Sequence, residues 1–517
     1  MSEVHGAASP GRAGPRRALI LSGGGIRLSY QAGAFRALFE AGLRFQHFDA
    51  TSGGSLTQAM LLCGLHPNEI CDRWRSLPIA ATLSPLAVEQ YLRLPNLEAL
   101  VDADNFRAVI LPHLGIGIER LRSAQGVDAT FNVLDYKAKS VRVVDHQSIT
   151  TDLLIAGLSL PGVYPPLRTD GEILLDTGFV QDANLIEPIR RGADELWLLW
   201  ALNNTPQYKG GMFNIYMQML EMGANGALNI ALERIRDLNE RIAAGDRPFG
   251  RETPVRLHVI RPRYALPYDT DLYFGRADSA SLIDLGYADA AEYLAGFTES
   301  GSPLDPSVTQ MSSPTRDVAF RESLSGPFSR GETDARAGES RGKSEGAELA
   351  LHASIHIDDV DRFIADPSYS GRLTGRIDHP VFGENVPAKH GRFKILSAGG
   401  DPAIKSIVYA LSFEHEGEDL HLVGRKEVRV GGGSDLGADM STLHVHLHKG
   451  RDALGPVIGA GVLKLAPGDL AKLVLSIRSP GAPSLADGLA VTAKFGHFFL
   501  GEIYDRAVRK PWWKVWR

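Results

Sequence analysis

The chain has 517 residues, a net charge of -6 and an isoelectric point near 6.3. This length predicts more than one domain, and the mild acidity argues against nucleic acid as a main partner. The two cysteines, Cys63 and Cys71, are too few for a disulfide framework and are expected to be buried thiols.

Residues 1–16 are rich in small residues and arginine, which predicts a disordered, mildly basic tail. The apolar run that follows, ALIL, is too short for a signal peptide. The sequence has no apolar stretch of about 18 residues, so no transmembrane helix is predicted. Together these features predict a cytoplasmic protein.

Two glycine-rich turns lie close together near the start of the chain. They read ALILSGGGIRLSYQAG (18–33) and FDATSGGSLTQAM (48–60), and each predicts a strand, a sharp turn and a helix. The second resembles the nucleophile elbow G-x-S-x-G, in which a strained turn exposes a serine hydroxyl at the top of a sheet. The first offers backbone N–H groups at a helix start, where an oxyanion can be held.

Neither turn is specific by itself. A tight strand-to-helix turn with a small serine also explains the second, because Ala50 stands where the elbow has its first glycine. The G-x-G-x-x-G frame that starts at Gly23 ends at Leu28, which argues against a dinucleotide loop. No Gly-Lys-Ser/Thr follows, which excludes a P-loop.

Short apolar runs alternate with amphipathic stretches from residue 17 to about 298. This pattern predicts an α/β fold with a mostly parallel sheet flanked by helices. The strand candidates are RALILSG, RFQHFDA, SVRVVDH, EILLD, ELWLLWAL and VRLHVIRP. Ligands bind at the carboxyl ends of the strands in such sheets, where both glycine turns fall.

Two further segments complete a set of four ordered motifs. They are AGLSLPGVYPPLRTDG (156–171) and LLDTGFVQDANLIEPI (174–189). In this order the four blocks closely resemble the patatin-like phospholipase family. Its pattern is G-G-G-x-R/K-G, G-x-S-x-G, a Ser…Pro…Pro-Pro block, and D-G-G/A with a downstream Asn and Pro. We therefore predict a patatin-like acyl hydrolase domain at 17–298.

The resemblance implies a Ser–Asp dyad that needs no metal or cofactor. The matching positions are Ser52 as nucleophile, Asp176 as its base, Gly23, Gly24, Gly25 and Arg27 as the oxyanion loop, and Gly53 and Gly54 as the elbow. A serine hydroxyl needs a base within hydrogen-bond reach, and burial makes a carboxylate a stronger base. The implied function is a lipid acyl hydrolase of the phospholipase A or lysophospholipase type.

Three departures from the family pattern keep other interpretations open. Leu28 and Ala50 replace glycines, and Thr177 replaces the middle glycine of D-G-G. A catalytically inactive lipid-binding or scaffold protein is one alternative, and an acyltransferase that uses the same site is another. Outside the four-motif set, Asp176 in Asp-Thr-Gly would be interpreted as a turn aspartate that caps the backbone.

The rest of the chain predicts a linker and a second domain. Residues 299–348 are rich in Ser, Gly, Arg and Glu with little periodicity, which predicts a flexible linker. From 349 to 505, alternating stretches predict a β-rich domain with a hairpin at SIVYALSFEHEGEDLHLVGRKEV. STLHVHLHKG, GVLKLAP and GLAVTAKFGHFFLGEIYD are interpreted in the same way.

This second domain resembles an accessory module found with bacterial cholesterol-oxidase-like flavoproteins. The matching stretches are DRFIADPSYSGRLTG, LVGRKEV, GVLKLAPGDLAKLVLSIR and KFGHFFLGEIYD. A role in lipid handling follows only by association. The histidines of STLHVHLHKG are predicted to line a solvated strand face, with a metal site as the less favoured alternative.

The last segment, 506–517, is basic and rich in tryptophan. Trp512, Trp513 and Trp516 predict either a weak peripheral membrane contact or packing against the β-rich domain. Lipid is the predicted substrate partner, and nothing in the sequence indicates the oligomeric state.

Overall fold

A computed structural model describes residues 14–92, 96–169, 171–366, 368–398, 404–429 and 441–507. The chain divides into two compact units, residues 1–312 and 313–517. Each unit has its own hydrophobic core.

The first unit alternates strands and helices, as its sequence pattern predicts. Its strands are β1 (Arg17–Leu21), β2 (His47–Thr51), β3 (Ser84–Pro85), β4 (Val101–Asp102), β5 (Asp128–Asp135), β6 (Ser140–Asp145), β7 (Leu167–Thr169), β8 (Glu172–Leu175), β9 (Glu195–Leu199) and β10 (Arg256–Ile260). Its helices are α1 (Ser29–Glu40), α2 (Gly54–Leu62), α3 (Pro67–Arg75), α4 (Val88–Tyr91), α5 (Leu111–His113), α6 (Ile118–Arg122), α7 (Thr151–Ala156), α8 (Ile186–Arg190), α9 (Met212–Ala243), α10 (Asp269–Tyr273) and α11 (Ser279–Ala295).

One sheet organises this unit, in the order β10-β9-β1-β2-β5-β8-β7. Strands β10, β9, β1, β2 and β5 run parallel, whereas β6 and β8 pair antiparallel with β5, and β7 with β8. The prediction of an α/β fold with a mostly parallel sheet is therefore confirmed. Apolar residues cover both faces: in β1, Leu19 and Leu21 belong to one core cluster and Ala18 and Ile20 to another.

Helices α1 and α11 pack with their backbones in close approach. A Cβ atom on Gly33 would lie 1.9 Å from the carbonyl oxygen of Ile283, and one on Gly286 would lie 1.9 Å from that of Tyr30. Only glycine fits such a contact, because any side chain would force the helices apart. This contact holds the helix that follows the first glycine turn.

Strand β5 is absent from the strand candidates of the sequence, although it lies inside the sheet. Residues 129–133 of this strand alternate apolar and polar side chains, as in a half-exposed strand, but the polar residues Thr130 and Asn132 are buried rather than exposed. Both side chains bond to Asp49 on β2. This pairing across strands is a tertiary contact that local patterning does not reveal.

The second unit is a closed antiparallel sheet with helices added. Its strands are β11 (Val318–Arg330), β12 (Glu348–Ile357), β13 (Ser370–His379), β14 (Gly383–Pro387), β15 (His390–Ala398), β16 (Ile404–His415), β17 (Glu418–Arg429), β18 (Thr442–Lys449) and β19 (Val457–Leu465). Its helices are α12 (Ala335–Glu345), α13 (Val360–Ala365), α14 (Pro467–Ser476) and α15 (Leu485–Ala507). The order is β12-β11-β19-β18-β17-β16-β15-β13, and β13 pairs back with β12 to close the sheet. This confirms the predicted β-rich second domain.

The prediction of a flexible linker at 299–348 is wrong for most of that range. Residues 313 onward belong to the second unit, and the range contains β11 and α12. Alternate residues of β11, including Val318, Phe320 and Leu324, are buried in the core of the second unit. Helix α12 packs through glycine: a Cβ on Gly338 would lie 2.0 Å from the carbonyl oxygen of Ala460. Glycines of the segment that suggested disorder, Gly338 among them, therefore serve close packing.

The interpretation of GLAVTAKFGHFFLGEIYD as a strand is also wrong, because this stretch lies in α15. Val491, Phe495 and Phe498 recur at spacings of four and three residues and pack on the core of the second unit. That period of 3.6 is helical, and alternation within the stretch was misleading. The predicted hairpin is confirmed as β16 and β17, and STLHVHLHKG and GVLKLAP as parts of β18 and β19.

The remaining predictions concern cysteine, histidine and the chain ends. Cys63 and Cys71 are free and buried, as expected. The histidines of β18 alternate with buried Leu443, Val445 and Leu447, so they line the outer strand face. Within the described residues, no group of three His, Cys, Asp or Glu side chains converges as a metal site requires. None of the described helices has the length and apolar character needed to cross a bilayer. Residues 1–13 and 508–517, with the three tail tryptophans, lie outside the described residues.

Candidate active site

Ser52 lies on a sharp turn between β2 and α2. Its φ of +52° is in the left-handed region, which non-glycine residues adopt at a cost of about 1–2 kcal/mol. The turn closes through a 2.9 Å hydrogen bond from the N–H of Ser55 to the carbonyl oxygen of Ser52. This strained turn leaves Ser52 partly accessible at the carboxyl end of a buried strand. The geometry is that of the predicted nucleophile elbow.

Glycines make room for the turn. A Cβ on Gly54 would lie 2.6 Å from the carbonyl oxygens of both Leu21 and Ser22, at the end of β1. A Cβ on Gly53 would lie 2.6 Å from Cδ1 of Leu28. Leu28, which departs from the family pattern, is thus buried against the glycine of the neighbouring turn. The two glycine-rich turns are therefore packed on each other.

A buried polar network supports the elbow from below. Asp49 accepts hydrogen bonds from Thr130 Oγ1 at 2.6 Å and from Asn132 Nδ2 at 2.7 Å. Asn132 also donates to the carbonyl oxygen of Ala50, and Asn184 donates to Oδ1 of Asn132 at 3.0 Å. Burial raises the pKa of Asp49 from 3.8 to about 8, so the carboxyl is protonated at neutral pH. This network connects the elbow to the segment that follows Asp176.

Ser52 and Asp176 form a hydrogen-bonded pair. The Oγ of Ser52 donates to Oδ2 of Asp176 at 2.5 Å, and the N–H of Gly178 donates to Oδ1 at 2.7 Å. Asp176 follows β8 directly and is 1% exposed. Burial raises the pKa of Asp176 to about 6, against the lowering effect of these two hydrogen bonds. The carboxylate is therefore a stronger base than free aspartate and is still mostly ionised at neutral pH.

The first glycine turn brings backbone N–H groups next to Ser52. A Cβ on Gly23 would lie 2.8 Å from Cβ of Ser52. The N–H of Gly23 itself donates to Oδ2 of Asp182 at 2.9 Å. The N–H groups of Ile26 and Arg27 donate to Oδ1 of Asp269, at 3.0 and 3.4 Å. Among the described residues, the amides of Gly24 and Gly25 have no such acceptor.

Arg27 is buried and turned into the protein. Its Nε donates to the carbonyl oxygen of Gly24 at 2.9 Å, and its Nη1 lies 3.7 Å from Oε1 of Glu221. The guanidinium also lies 5.4 Å from the ring centroid of Tyr268. These contacts hold the Arg27 side chain in place, and its hydrogen bond to the Gly24 carbonyl stabilises the backbone of the glycine turn.

Helix α9 passes beside this site. The hydroxyl of Tyr216 donates to the carbonyl oxygen of Pro161 at 2.6 Å. Burial, and to a lesser extent the negative charge of Asp176, raise the pKa of Tyr216. A Cβ on Gly223 would lie 2.6 Å from the carbonyl oxygen of Phe179. The amino-terminal turns of the helix expose Met212, Met219 and Met222. Large apolar side chains are thus in solvent near the Ser–Asp pair.

The structure brings Ser52 and Asp176 together beside both glycine turns, and Arg27 lies in the first of these turns. Sequence reasoning missed three acidic residues that shape the site: Asp49, Asp182 and Asp269. Asp182 stands inside the quoted block LLDTGFVQDANLIEPI, but an aspartate in a loop does not reveal that it is buried. The departures Ala50 and Thr177 are both fully buried, and the hydroxyl of Thr177 has no hydrogen-bond partner among the described residues.

Comparisons with known proteins find a family match in this part of the chain. Residues 19–189 match the family model described as Patatin-like phospholipase. Uncharacterized NTE family proteins of Mycobacterium bovis and Mycobacterium tuberculosis are each 23% identical over 186 residues, which is 35% of this chain and 29% of the relative. The match thus spans less than a third of these curated relatives.

Among solved structures, VipD from Legionella pneumophila is 14% identical with a TM-score of 0.32, over 55% of this chain and 67% of that chain. The family match covers both glycine turns, Ser52 and Asp176. Residues 19–189 are therefore similar to the patatin-like phospholipase family, and at the level of the family this supports a lipid hydrolase.

Proposed function

We propose that this protein is a lipid acyl hydrolase that uses Ser52 as nucleophile and Asp176 as base. The observation that carries the proposal is the 2.5 Å hydrogen bond from the Ser52 hydroxyl to a buried carboxylate, at an elbow with positive φ. The family match of residues 19–189 supplies the class of substrate, a lipid ester. Phospholipids and lysophospholipids are the leading candidates.

The mechanism follows from the geometry of the pair. The oxygen of Ser52 attacks the ester carbonyl while its proton passes to Asp176, and a covalent acyl-enzyme forms as the alcohol leaves with that proton. The amides of Gly24 and Gly25 are the donors for the developing oxyanion, since the Gly23 amide is already bonded to Asp182. Water then attacks the acyl-enzyme with Asp176 again as base, and a fatty acid is released.

The test is fatty-acid release from vesicles of mixed phospholipid and glyceride. Removal of a general base lowers the rate by about 10²–10⁴-fold, so we expect Asp176→Asn to release fatty acid at least about 10²-fold more slowly than wild type. We expect Ser52→Ala to show no detectable release. Asp237→Asn, an exposed acid on α9, is the matched control and should behave as wild type. Release that survives in Ser52→Ala would refute the proposal.

Two other functions compete for the same site. A catalytically inactive lipid-binding or scaffold protein predicts no release from any lipid by folded wild-type protein. An acyltransferase predicts that an added alcohol acceptor captures the acyl group from the Ser52 acyl-enzyme and becomes the main product. The hydrolase proposal predicts that free fatty acid is the main product with or without that acceptor.

Peripheral membrane contact by a cytoplasmic protein remains a proposal. It rests on the sequence of the basic tail with Trp512, Trp513 and Trp516. The suggested lipid-handling role of the second unit rests on its resemblance to the accessory module, and the family match ends at residue 189. Deletion of residues 512–517 should reduce co-sedimentation with anionic vesicles without changing hydrolysis of a soluble ester. Unchanged co-sedimentation would refute the tail contact.

A further inference from the structure

A second buried carboxyl group, that of Asp182, lies beside the Ser52–Asp176 pair. Asp182 is 2% exposed and follows Asp176 by six residues. Its Oδ2 accepts the N–H of Gly23 at 2.9 Å. The mechanism proposed above gives this group no role in the chemistry.

Two glycines show how close Asp182 is to the pair. A Cβ on Gly23 would lie 2.3 Å from Oδ1 of Asp182 and 2.8 Å from Cβ of Ser52. A Cβ on Gly178 would lie 3.0 Å from the same Oδ1 and 3.2 Å from Oδ1 of Asp176. The carboxyl of Asp182 therefore occupies the small space between Gly23, Gly178 and Ser52, and the absence of two side chains makes room for it.

The charges around this space cannot balance two carboxylates. Arg27 is the cation that faces Asp182 from the glycine turn, and its guanidinium is already engaged by Glu221 on α9. Asp269 on α10 also faces Arg27, and Tyr216 faces Asp176 from α9 as a neutral group. Burial and the neighbouring Asp176 raise the pKa of Asp182 well above its ordinary value. Two like charges in a desolvated site disfavour double ionisation.

We propose that Asp182 keeps its proton at neutral pH and acts as a positioning residue, which holds the Gly23 amide and leaves Asp176 as the single anion of the pair. This inference rests on the proposed hydrolase function for its kinetic consequence only. Asp182 retains its proton throughout the cycle, while the proton of Ser52 passes to Asp176 and then to the leaving alcohol. Loss of the Asp182 proton at high pH would place a second anion beside the amides that receive the oxyanion, and the rate would fall.

The first test is the pH profile of kcat/KM for wild type and Asp182→Asn. Asparagine keeps an oxygen acceptor for the Gly23 N–H but cannot ionise. We expect an acid limb near pH 6 from Asp176 in both proteins, and an alkaline limb from Asp182 in wild type that is missing in the variant. At neutral pH the variant's kcat/KM should fall by less than about 10²-fold, which is the smallest loss expected when a general base is removed.

Two results would overturn the inference. One is an alkaline limb that is the same in both proteins, and the other is a loss at every pH as large as that of Asp176→Asn. Asp182→Ser is the second variant if the amide disrupts packing. Its smaller hydroxyl is also neutral, and the same disappearance of the alkaline limb is expected.

The second test does not need activity, so it separates this inference from the proposed function. In a Ser52→Ala background, the free energy of unfolding is measured against pH with Asp182 and with Asp182→Asn. A carboxyl with a raised pKa in the folded state contributes stability below its unfolded pKa of about 3.9, and that stability is lost as the pH rises. The asparagine variant should therefore gain stability relative to its parent as pH rises from about 4 upward.

The exposed change Asp237→Asn is the matched control and should show no such trend. If the relative gain is seen but the wild-type protein hydrolyses no lipid, the proton on Asp182 is supported and the hydrolase is refuted. Hydrolysis with a pH-independent difference would refute the proton on Asp182 and leave the hydrolase.

Discussion

The carboxyl groups buried around Ser52 and those buried in the second unit have different partners. In the first unit, Asp49, Asp176 and Asp182 are buried without a bonded cation among the described residues, and burial raises the pKa of each. In the second unit, buried Glu322 is bonded to the ammonium of Lys426 and to the hydroxyl of Tyr409. Asp317, also buried, is bonded to His356 at 3.1 Å.

This difference distinguishes acids of a candidate functional site from acids of a structural core. A buried carboxyl without a cation costs stability at neutral pH, and such groups with shifted pKa values cluster at functional sites. A buried carboxylate with a bonded cation has its charge compensated, and removing the cation alone is strongly destabilising. The acids without a bonded cation lie around Ser52, whereas in the second unit Glu322 lies on β11 and Asp317 directly precedes that strand.

The largest expected effect is the loss of the buried pair in the second unit. Lys426→Met removes the cation bonded to Glu322 inside the closed sheet, and we expect a loss of about 3–5 kcal/mol in the free energy of unfolding. Denaturant titration measures it. The matched control is Lys449→Met, whose pair with Glu418 is half exposed and should contribute less than about 1 kcal/mol.

Adding Glu322→Gln to Lys426→Met should recover part of that loss, because no buried charge then remains. A loss below about 1 kcal/mol in the single variant would show that the pair is solvated, and the contrast between the two units would fail.

Overpacking the elbow should have the next largest effect. Gly54→Ala improves helix propensity by about 1 kcal/mol, but its Cβ would meet two backbone oxygens at 2.6 Å. Backbone cannot move aside as a side chain can, so steric strain prevails and we expect a net loss of about 1–3 kcal/mol together with lower esterase activity. The control is Gly226→Ala in α9, where nothing lies within 4 Å and stability should be unchanged or higher. A Gly54→Ala protein with wild-type rate would show that the elbow is not tightly packed.

The pH dependence of stability gives a finer test of the unpaired acids. The pKa of Asp49 is raised from 3.8 to about 8 in the folded protein, so its stability contribution is full below pH 3.8 and is lost as the pH rises towards 8. Asp49→Asn mimics the protonated carboxyl, because its amide can donate to Thr130 and accept from Asn132. Relative to wild type, the variant should therefore gain stability between pH 4 and pH 8, as measured by denaturant titration at several pH values.

Asp128 supplies the control of opposite sign. Hydrogen bonding to His47 lowers the pKa of Asp128 from 3.8 to about 2, so its contribution is present above pH 3.8 and is lost as the pH falls through 2. Asp128→Asn should therefore lose stability relative to wild type at neutral pH. Variants of Asp49 and Asp128 with the same pH trend would contradict the assignment of unpaired and paired acids.

The smallest effect concerns exposed apolar side chains. Met219→Ser with Met222→Ser should change stability by no more than about 0.5 kcal/mol, since both side chains are mostly in solvent. If α9 contributes to lipid contact beside the site, the double variant should release fatty acid from vesicles more slowly than wild type does. Its rate on a soluble ester should equal that of wild type. Leu454→Ser, the corresponding exposed change in the second unit, should leave both rates unchanged. Equal rates on vesicles for all three proteins would exclude a lipid-facing role for α9.

The sequence by itself determined the α/β fold of the first unit and the order of its motifs. Strands β1 and β9 are buried on both faces and are mostly apolar runs, and sharp turns beside such strands favour glycine, so both signals are local. The elbow at Ser52, the glycine turn at 23–25 and the pairing of Ser52 with Asp176 were all predictable, the last through family resemblance. The hairpin of β16 and β17 was also predictable, because strict alternation is a property of neighbouring residues.

Only the tertiary structure decided which polar residues are buried and what satisfies them. Strand β5 alternates apolar and polar residues, but the burial of Thr130 and Asn132 depends on their partner Asp49, which is some 80 residues away in sequence. The segment at 313–348 looked disordered because it is rich in Ser, Gly, Arg and Glu, yet Gly326 and Gly338 lie against the distant backbone of β19. Asp182 looked like a loop aspartate until the fold placed it against Gly23. Burial depends on contacts between distant parts of the chain, and a carboxyl group changes its chemistry only when those contacts remove water from it.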